Sequence, residues 1–379
     1  MKPASVLPNL PSGARILLIR LRSLGDTVLL TPSLRLLKRW RPDLRVSVVL
    51  EECFRDLLDG NTCVEEVLTL KARRGVGRTL ELIRLIRELR SRKFDLCVNL
   101  HGGPSSTYLA RWSGGRAKAG FFHFRNQRVY DLSIPDARAI LSQAVVHTAE
   151  HHAAAFFWLG LPLQPVSPSE LYVTQQGKAA WDAERERLGL APSCEYAILH
   201  PAALFATKQW PPERFAELGQ YLEEQHGLAV IYCCGAGESA CLDDVEREAG
   251  KPLRRVEGQP LRCLIAAIAG AKLFAGNDSG PAHIAAAVGR PVIVIFGSSS
   301  SRIWRPWTGS QSARDARPGS AFRIIQNPYD CNPCPGDRCY RFDAPECILS
   351  VGVEQVRAAA DSLLDTAQAP GNAALKSIP

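Results

Sequence analysis

The run RILLIRLRSLGDTVLLTPSLRLLKRW (residues 15–40) decides the fold. Its first part, RILLIRL (15–21), is β-branched and leucine-rich, with the length of a buried strand. A short loop, RSLGD, follows. From Thr27 to Trp40, Leu29, Leu30, Leu34 and Leu37 recur near helical spacing and predict a helix. The alternation continues outward: RVSVVL (45–50) reads as a strand, and GRTLELIRLIRELRSRK (77–93) as an amphipathic helix. FDLCVNL (94–100) reads as a third strand, ending at the loop HGGPSS. Strands alternating with helices imply βαβ units and a parallel sheet.

The segment 160–178, rich in Pro, Ser and Gln, interrupts this pattern, which then restarts. EYAILHP (195–201), LAVIYCCG (228–235), AKLFAGND (271–278) and RPVIVIFG (290–297) read as strands. PERFAELGQYLEEQHG (212–227) and VEQVRAAADSLLDTA (353–367) read as helices. The expected organisation is an N-terminal Rossmann-like domain over 1–175 and a C-terminal one over 176–350. A final helix at 351–367 and a disordered tail at 368–379 complete it. In such α/β folds ligands bind outside the carboxyl ends of the strands. Those ends carry SLGD, NLHGG, HPAALFATK, GAGES and GNDSGPAH.

Composition narrows the class. The apolar runs are far shorter than the roughly 20 residues a membrane-spanning helix needs. The opening MKPASVLPNLPSG carries no signal-peptide pattern. A cytoplasmic location is expected. Residues 1–150 hold 25 Lys and Arg against 14 Asp and Glu, so the chain's net charge of +8 comes from its first half. A basic face of this kind attracts phosphates or anionic lipid. The helix at 77–93 reads either as such a docking surface or as a solvated helix face. No stacking platform or motif points to nucleic acid. Of the twelve cysteines, Cys53, Cys63, Cys97, Cys233, Cys234 and Cys263 read as small buried hydrophobes.

Three strand-end motifs can carry chemistry. In GNDSGPAHIAAAVGRPVIVIFG (276–297), a strand ends at Asn277-Asp278 and a helix is expected to begin near Ala282-His283. Free N–H groups at a helix start, with the helix dipole, favour an anion. In HPAALFATKQWPPERF (200–215), Lys208 can neutralise a leaving diphosphate, or be a surface lysine. In RLRSLGDTVLLTP (20–32), Asp26 can act as a general base or merely cap a helix.

Taken in order, the SLGD…TP opening, K-x-W-P at 208–211, DSGPAH and FG…IWRPW at 296–307 resemble glycosyltransferase family 9, the heptosyltransferase group. The likeness runs from about Arg15 to Val356. It implies the GT-B architecture, two Rossmann-like domains facing a cleft. It also implies an inverting transfer that needs no metal, with ADP-heptose as donor and a lipopolysaccharide-core glycolipid as acceptor at the inner membrane. By the resemblance, Asp26 is the catalytic base and Lys208 the diphosphate contact. Asp278, Ser279, Gly280 and His283 line the donor phosphates or sugar. Arg20 contacts the acceptor, and Glu238 the nucleotide ribose. Ala203 and Leu204 stand where some members carry hydroxyl residues, and PAALFATKQWP looks closer to the second heptosyltransferase type. Another nucleotide sugar, a silent sugar-nucleotide-binding relative and an epimerase of the same architecture are the rival readings.

Two motifs stand outside this account. GAGESA (235–240) fits a dinucleotide fingerprint, a weak match on its own, and no clear acidic residue is expected to end the next strand at the place a dehydrogenase requires. CNPCPGDRCYRFDAPEC (331–347) places Cys331, Cys334, Cys339 and Cys347 where a structural zinc, a disulfide or free thiols are each conceivable.

Overall fold

The computed structural model describes residues 4–73, 75–309, 321–334 and 336–367. The expected disordered tail, 368–379, lies outside them. The chain divides into two compact units, Met1–Ser169 and Glu170–Pro379.

The first unit holds six strands: β1 (Arg15–Ile19), β2 (Arg45–Glu51), β3 (Glu66–Leu70), β4 (Leu96–Asn99), β5 (Ala117–Phe121) and β6 (Leu132–Ile134). They form one parallel sheet in the order β3-β2-β1-β4-β5-β6. Ile16, Leu17, Leu18 and Ile19 are all fully buried, as expected of a strand covered on both faces. Burying each such side chain contributes about 1.5–3 kcal/mol. The helices are α1 (Leu24–Val28), α2 (Thr31–Trp40), α3 (Val76–Arg92), α4 (Pro104–Trp112), α5 (Ala137–Leu141) and α6 (Thr148–Trp158). α3 packs beside α4, and α2 beside α6.

The single helix expected over 27–40 is in fact two. α1 ends at Val28 and α2 starts at Thr31, with Pro32 in its first turn. Proline has no N–H to donate, so it suits a helix start and breaks a helix interior. Cys53 is exposed and Cys63 half-buried, against the expectation of burial, while Cys97, Cys233, Cys234 and Cys263 are buried. Cys53 sits on a surface 3₁₀ turn (Glu52–Leu58), which no run of apolar neighbours reveals.

The second unit repeats the plan. Its strands are β7 (Tyr196–His200), β8 (Ala229–Cys234), β9 (Arg254–Glu257), β10 (Leu273–Asn277), β11 (Val292–Ile295) and β12 (Phe322–Ile325). The parallel sheet runs β12-β11-β10-β7-β8-β9. Read from β9, this is the strand order of the first sheet. The helices are α7 (Gln175–Arg187), α8 (Pro212–His226), α9 (Ala240–Ala249), α10 (Leu261–Gly270), α11 (Gly280–Ala287), α12 (Ser301–Trp304), α13 (Glu346–Leu349) and α14 (Val353–Ala367). Val356, Ala359, Ala360 and Leu363 of α14 share one core with Trp210, Phe215 and Leu222, so the last helix belongs to this unit.

In each unit the chain reverses direction across the sheet between its first and fourth strands. The carboxyl ends of these strands flank a topological switch point, where open α/β sheets place ligands. At the two switch points stand β1 with β4, and β7 with β10.

Candidate active site

In the first unit, β1 runs into the loop that carries Arg20 and, in α1, Asp26. Arg20 Nη2 lies 2.5 Å from Asp26 Oδ1, with both side chains largely shielded from water. Arg20 Nη1 also donates to the carbonyl of Leu100, at the end of β4, over 2.6 Å. Asp26 Oδ2 accepts from Ser23 N at 3.3 Å and from Ser23 Oγ at 3.1 Å, closing a capping box at the start of α1. Asp26 is thus not the N-cap, which is Ser23, but the N3 member of the capping box, and it is also the partner of a buried cation. Burial pushes its carboxyl pKa up, but the Arg20 charge and these hydrogen bonds prevail and hold it below the ordinary value.

Histidines surround this pair, and none was singled out from the sequence. His101 follows β4; burial, with the charges of Arg20 and Arg22, pushes its pKa down to about 4. His152 of α6 is buried, and burial and the Arg20 charge bring it to about 3. Its Nδ1 lies 3.3 Å from the carbonyl of Leu29, which can only accept, so the proton of the neutral ring sits on Nδ1. His151 stacks on Phe121 with ring centroids 4.1 Å apart, and burial lowers it to about 4. All three are neutral at pH 7. The HGG of the strand-end loop was a visible signal for His101. The pair in α6 looked like ordinary helix composition. At Gly102, φ is +75° and an added Cβ would run into the Phe124 ring, so the turn after His101 requires glycine.

In the second unit, Lys208 follows β7 and Asp278 follows β10. Lys208 Nζ donates to Asp278 Oδ2 at 2.7 Å. The same oxygen accepts from Ser299 Oγ at 2.5 Å. Asn277 ties both strand ends together, accepting from Trp210 N at 3.1 Å and donating to the Pro201 carbonyl at 2.7 Å. Ser279 is the N-cap of α11 but makes no side-chain cap bond there; its hydroxyl meets His200 Nδ1 at 3.2 Å. Burial lowers His200 to about 4, so it too is neutral. The helix begins at Gly280, earlier than expected, because Pro281 suits its first turn. His283 is buried within that turn. Glu238 lies in the loop after β8, where its Oε2 accepts from Gly235 N at 2.8 Å.

The structure therefore brings Arg20 and Asp26 together in one unit, and Lys208, Asp278 and Ser279 in the other. It places Gly280 and His283 on the helix start beside Asp278. Glu238 stands on a neighbouring loop, held by its own backbone.

The four clustered cysteines line one cavity of about 120 Å³ together with Thr207 and Ser298. Their loop is laced to the Lys208 loop. Thr207 Oγ1 donates to the Gly336 carbonyl and accepts from Ser298 Oγ at 3.0 Å, and Cys334 N donates to the Ser298 carbonyl at 3.0 Å. All twelve cysteines are free thiols. Among the described residues no three His, Cys, Asp or Glu side chains are spaced to hold a metal ion. Of the readings open for Cys331, Cys334, Cys339 and Cys347, the structure shows free thiols around one cavity, without the ligand geometry of a structural zinc among the described residues.

The profile of glycosyltransferase family 9 (heptosyltransferase) matches residues 82–321. That is more than half of the sequence. The chain belongs to this family. The transferase is 29% identical over 296 residues to lipopolysaccharide heptosyltransferase 3 of Escherichia coli K12, covering 75% of this chain and 83% of that one. Among solved structures it resembles a family 9 glycosyl transferase from Veillonella parvula (TM-score 0.77, 20% identity, 96% and 99% covered). It also resembles the E. coli ADP-heptose lps heptosyltransferase II (TM-score 0.73, 19% identity, 94% and 100% covered). The transferase therefore has the paired Rossmann-like units of the GT-B architecture. No helix among the described residues is long and apolar enough to cross a membrane.

Proposed function

We propose that the transferase moves heptose from ADP-heptose to a hydroxyl of a lipopolysaccharide-core acceptor, in the cytoplasm, with inversion at the anomeric carbon. In this reading the first unit receives the acceptor and the second the nucleotide sugar. The acceptor oxygen attacks the anomeric carbon as the bond from that carbon to the β-phosphate oxygen breaks. The hydroxyl proton passes to Asp26, and ADP leaves with the bonding pair. Attack opposite the leaving group inverts the configuration.

The observation that carries this reading is the Lys208–Asp278 pair beside the start of α11. A lysine held by one carboxylate, next to N–H groups at a helix start, is suited to take up negative charge growing on a diphosphate. Lys208 exchanges Asp278 for the phosphate oxygen, and Ser299 keeps Asp278 partnered meanwhile. Lys208 and the helix start supply positive charge from the chain itself, so the proposed transfer runs without a metal. A carboxylate held low by Arg20 is a weak base at rest. An anionic acceptor group that engages Arg20 draws the guanidinium away and raises the basicity of Asp26 as the hydroxyl arrives.

The test has two arms. Melting curves with ADP, UDP, GDP and CDP identify the nucleotide, because a ligand of the native state raises Tm by mass action. Incubation with ADP-heptose, with and without a heptose-deficient core acceptor, identifies the reaction. Stabilisation by ADP and acceptor-dependent transfer insensitive to chelator are expected. Preference for another base moves the donor sugar. Conversion of the donor without acceptor makes the protein an epimerase, and ADP binding without turnover makes it a silent relative.

A further inference from the structure

The exposed large hydrophobic side chains of this protein are not scattered. Val76, Leu80 and Ile83 of α3 and Tyr108 and Trp112 of α4 supply five of the eleven among the described residues. Val76 is 78% and Leu80 61% exposed. α3 buries Glu81, Leu85 and Leu89 against its unit. The opposite side carries Val76, Leu80, Ile83, Arg87 and Arg90, all exposed. These residues are spaced four and three apart, so they form one outward line. α4 presents Tyr108, Arg111 and Trp112 in the same way. Tyr108 and Trp112 meet edge to face at 6.5 Å, and the Arg111 guanidinium lies 5.2 Å from the Trp112 ring centre. The helices are neighbours: Arg78 Nη2 donates to Ser105 Oγ at 2.6 Å.

The charge on this face has one sign. α4 contains no acidic residue. The two of α3 are engaged, Glu81 buried against Arg84 and Glu88 paired with Arg84 and Arg92. Among the described residues no carboxylate pairs with Arg87, Arg90 or Arg111. The apolar side chains stand on the outer crests of two helices rather than in a groove. Apolar crests interleaved with unpaired arginines, and an amphipathic Tyr and Trp, have the chemistry of an interfacial membrane contact.

We propose that the α3–α4 face docks the first unit on an anionic lipid surface. Leu80, Ile83 and Trp112 enter the headgroup region, and Arg87, Arg90 and Arg111 meet lipid phosphates. α4 begins directly after His101–Gly103, the loop beside Arg20 and Asp26. The docked face runs from that strand end, at Val76 and Pro104, toward the opposite end of the sheet, where Arg15 Nη1 donates to the Arg92 carbonyl and Arg90 packs beside Gly114. The surface stands on its own residues, although the proposed lipid-linked acceptor would be met in the same membrane.

Sedimentation of the full-length protein with vesicles tests this. Binding is expected to mixed phosphatidylglycerol–phosphatidylcholine vesicles in low salt, and little to phosphatidylcholine alone. Each basic residue near such a surface is worth about fivefold in binding. Arg87→Glu with Arg90→Glu should therefore weaken binding by at least about 25-fold. Leu80→Glu with Trp112→Glu should abolish it. Leu163→Glu, equally exposed but elsewhere on the unit, should leave it unchanged. Melting curves confirm that each variant folds. No binding by the wild type, or binding by both double variants as tight as that of the wild type, overturns the surface. Loss of binding in Leu163→Glu to the same degree also overturns it. ADP stabilisation and transfer to a detergent-dispersed acceptor are read in parallel. Transfer without vesicle binding overturns the surface alone; vesicle binding without transfer overturns the enzymatic reading and leaves the surface standing.

Discussion

The two units place a cation–carboxylate pair at the same point of the same topology, and the pairs differ in which member is free to act. Arg20 and Asp26 sit at the β1–β4 switch point, Lys208 and Asp278 at the β7–β10 switch point. In the first pair the arginine is forked between Asp26 and the Leu100 carbonyl, and Asp26 is fixed again by Ser23. In the second, the carboxylate is the anchored partner. Asp278 is nearly buried and doubly hydrogen-bonded, while Lys208 is a point charge on a flexible stem held by one bond. A rigid carboxylate aimed by its neighbours suits proton transfer. A cation with a single replaceable partner suits an arriving phosphate.

The largest effect that can break this comparison is at Asp26. Asp26→Asn retains an oxygen to accept from Ser23 and removes the base. Transfer is expected to fall about 10²–10⁴-fold, with stabilisation by ADP unchanged in melting curves. Near-normal turnover would return Asp26 to a helix cap. Lys208→Met comes next. Loss of a cation that stabilises leaving-group charge should lower kcat/KM about 10²–10³-fold and weaken ADP binding as well. If ADP stabilisation survives intact, the division of labour between the units is wrong.

Arg20→Met sharpens the first half of the comparison. Arg20 holds the Asp26 carboxyl below its ordinary value, so its removal lets that pKa rise. The acidic limb of the kcat/KM profile, where activity is lost as Asp26 gains a proton, should then move to higher pH. A limb that stays in place, or moves to lower pH, would detach Arg20 from the base. A fall in kcat/KM at the pH optimum is expected in addition, from the lost acceptor contact.

The fold was legible where a strand is buried on both faces, because RILLIRL, EYAILHP and PVIVIF are then continuous apolar runs. Short edge strands such as β6 and β9 are not legible, since LSI and RRVE carry no pattern long enough to count, and β9 ends on Glu257, an acidic residue where none was expected. α10, LRCLIAAIAG, is a short and mostly apolar run, which can equally be a buried strand. Asp26 and Lys208 were visible because a polar residue in the loop after an apolar strand marks a strand end. Arg20 and Asp278 stand out for the same reason, but their pairing with Asp26 and Lys208, and the part of Ser299, do not. Asp278 and Ser299 are 21 residues apart and meet only because β10 and β11 are adjacent. His152 reaches Leu29 across 123 residues. No local spacing encodes such a juxtaposition; the sheet order does.

The same dependence on sheet order sets the last and smallest prediction. Thr207 precedes Lys208 and is buried, and its hydroxyl is the knot between the Lys208 loop, the Gly336 carbonyl and Ser298. Thr207→Val keeps the shape and removes the hydroxyl, leaving a buried carbonyl and a buried serine short of a partner. A loss of about 1–3 kcal/mol of stability is expected from the unpaired groups, read as a lower midpoint in denaturant. The lysine loop is anchored through this knot to the cysteine-lined cavity, so kcat/KM should fall a few-fold while the pH profile stays where Asp26 puts it. A normal midpoint with normal kinetics would show that Lys208 is held by Asp278 alone. A shifted acidic limb would mean that the two pairs are coupled in catalysis.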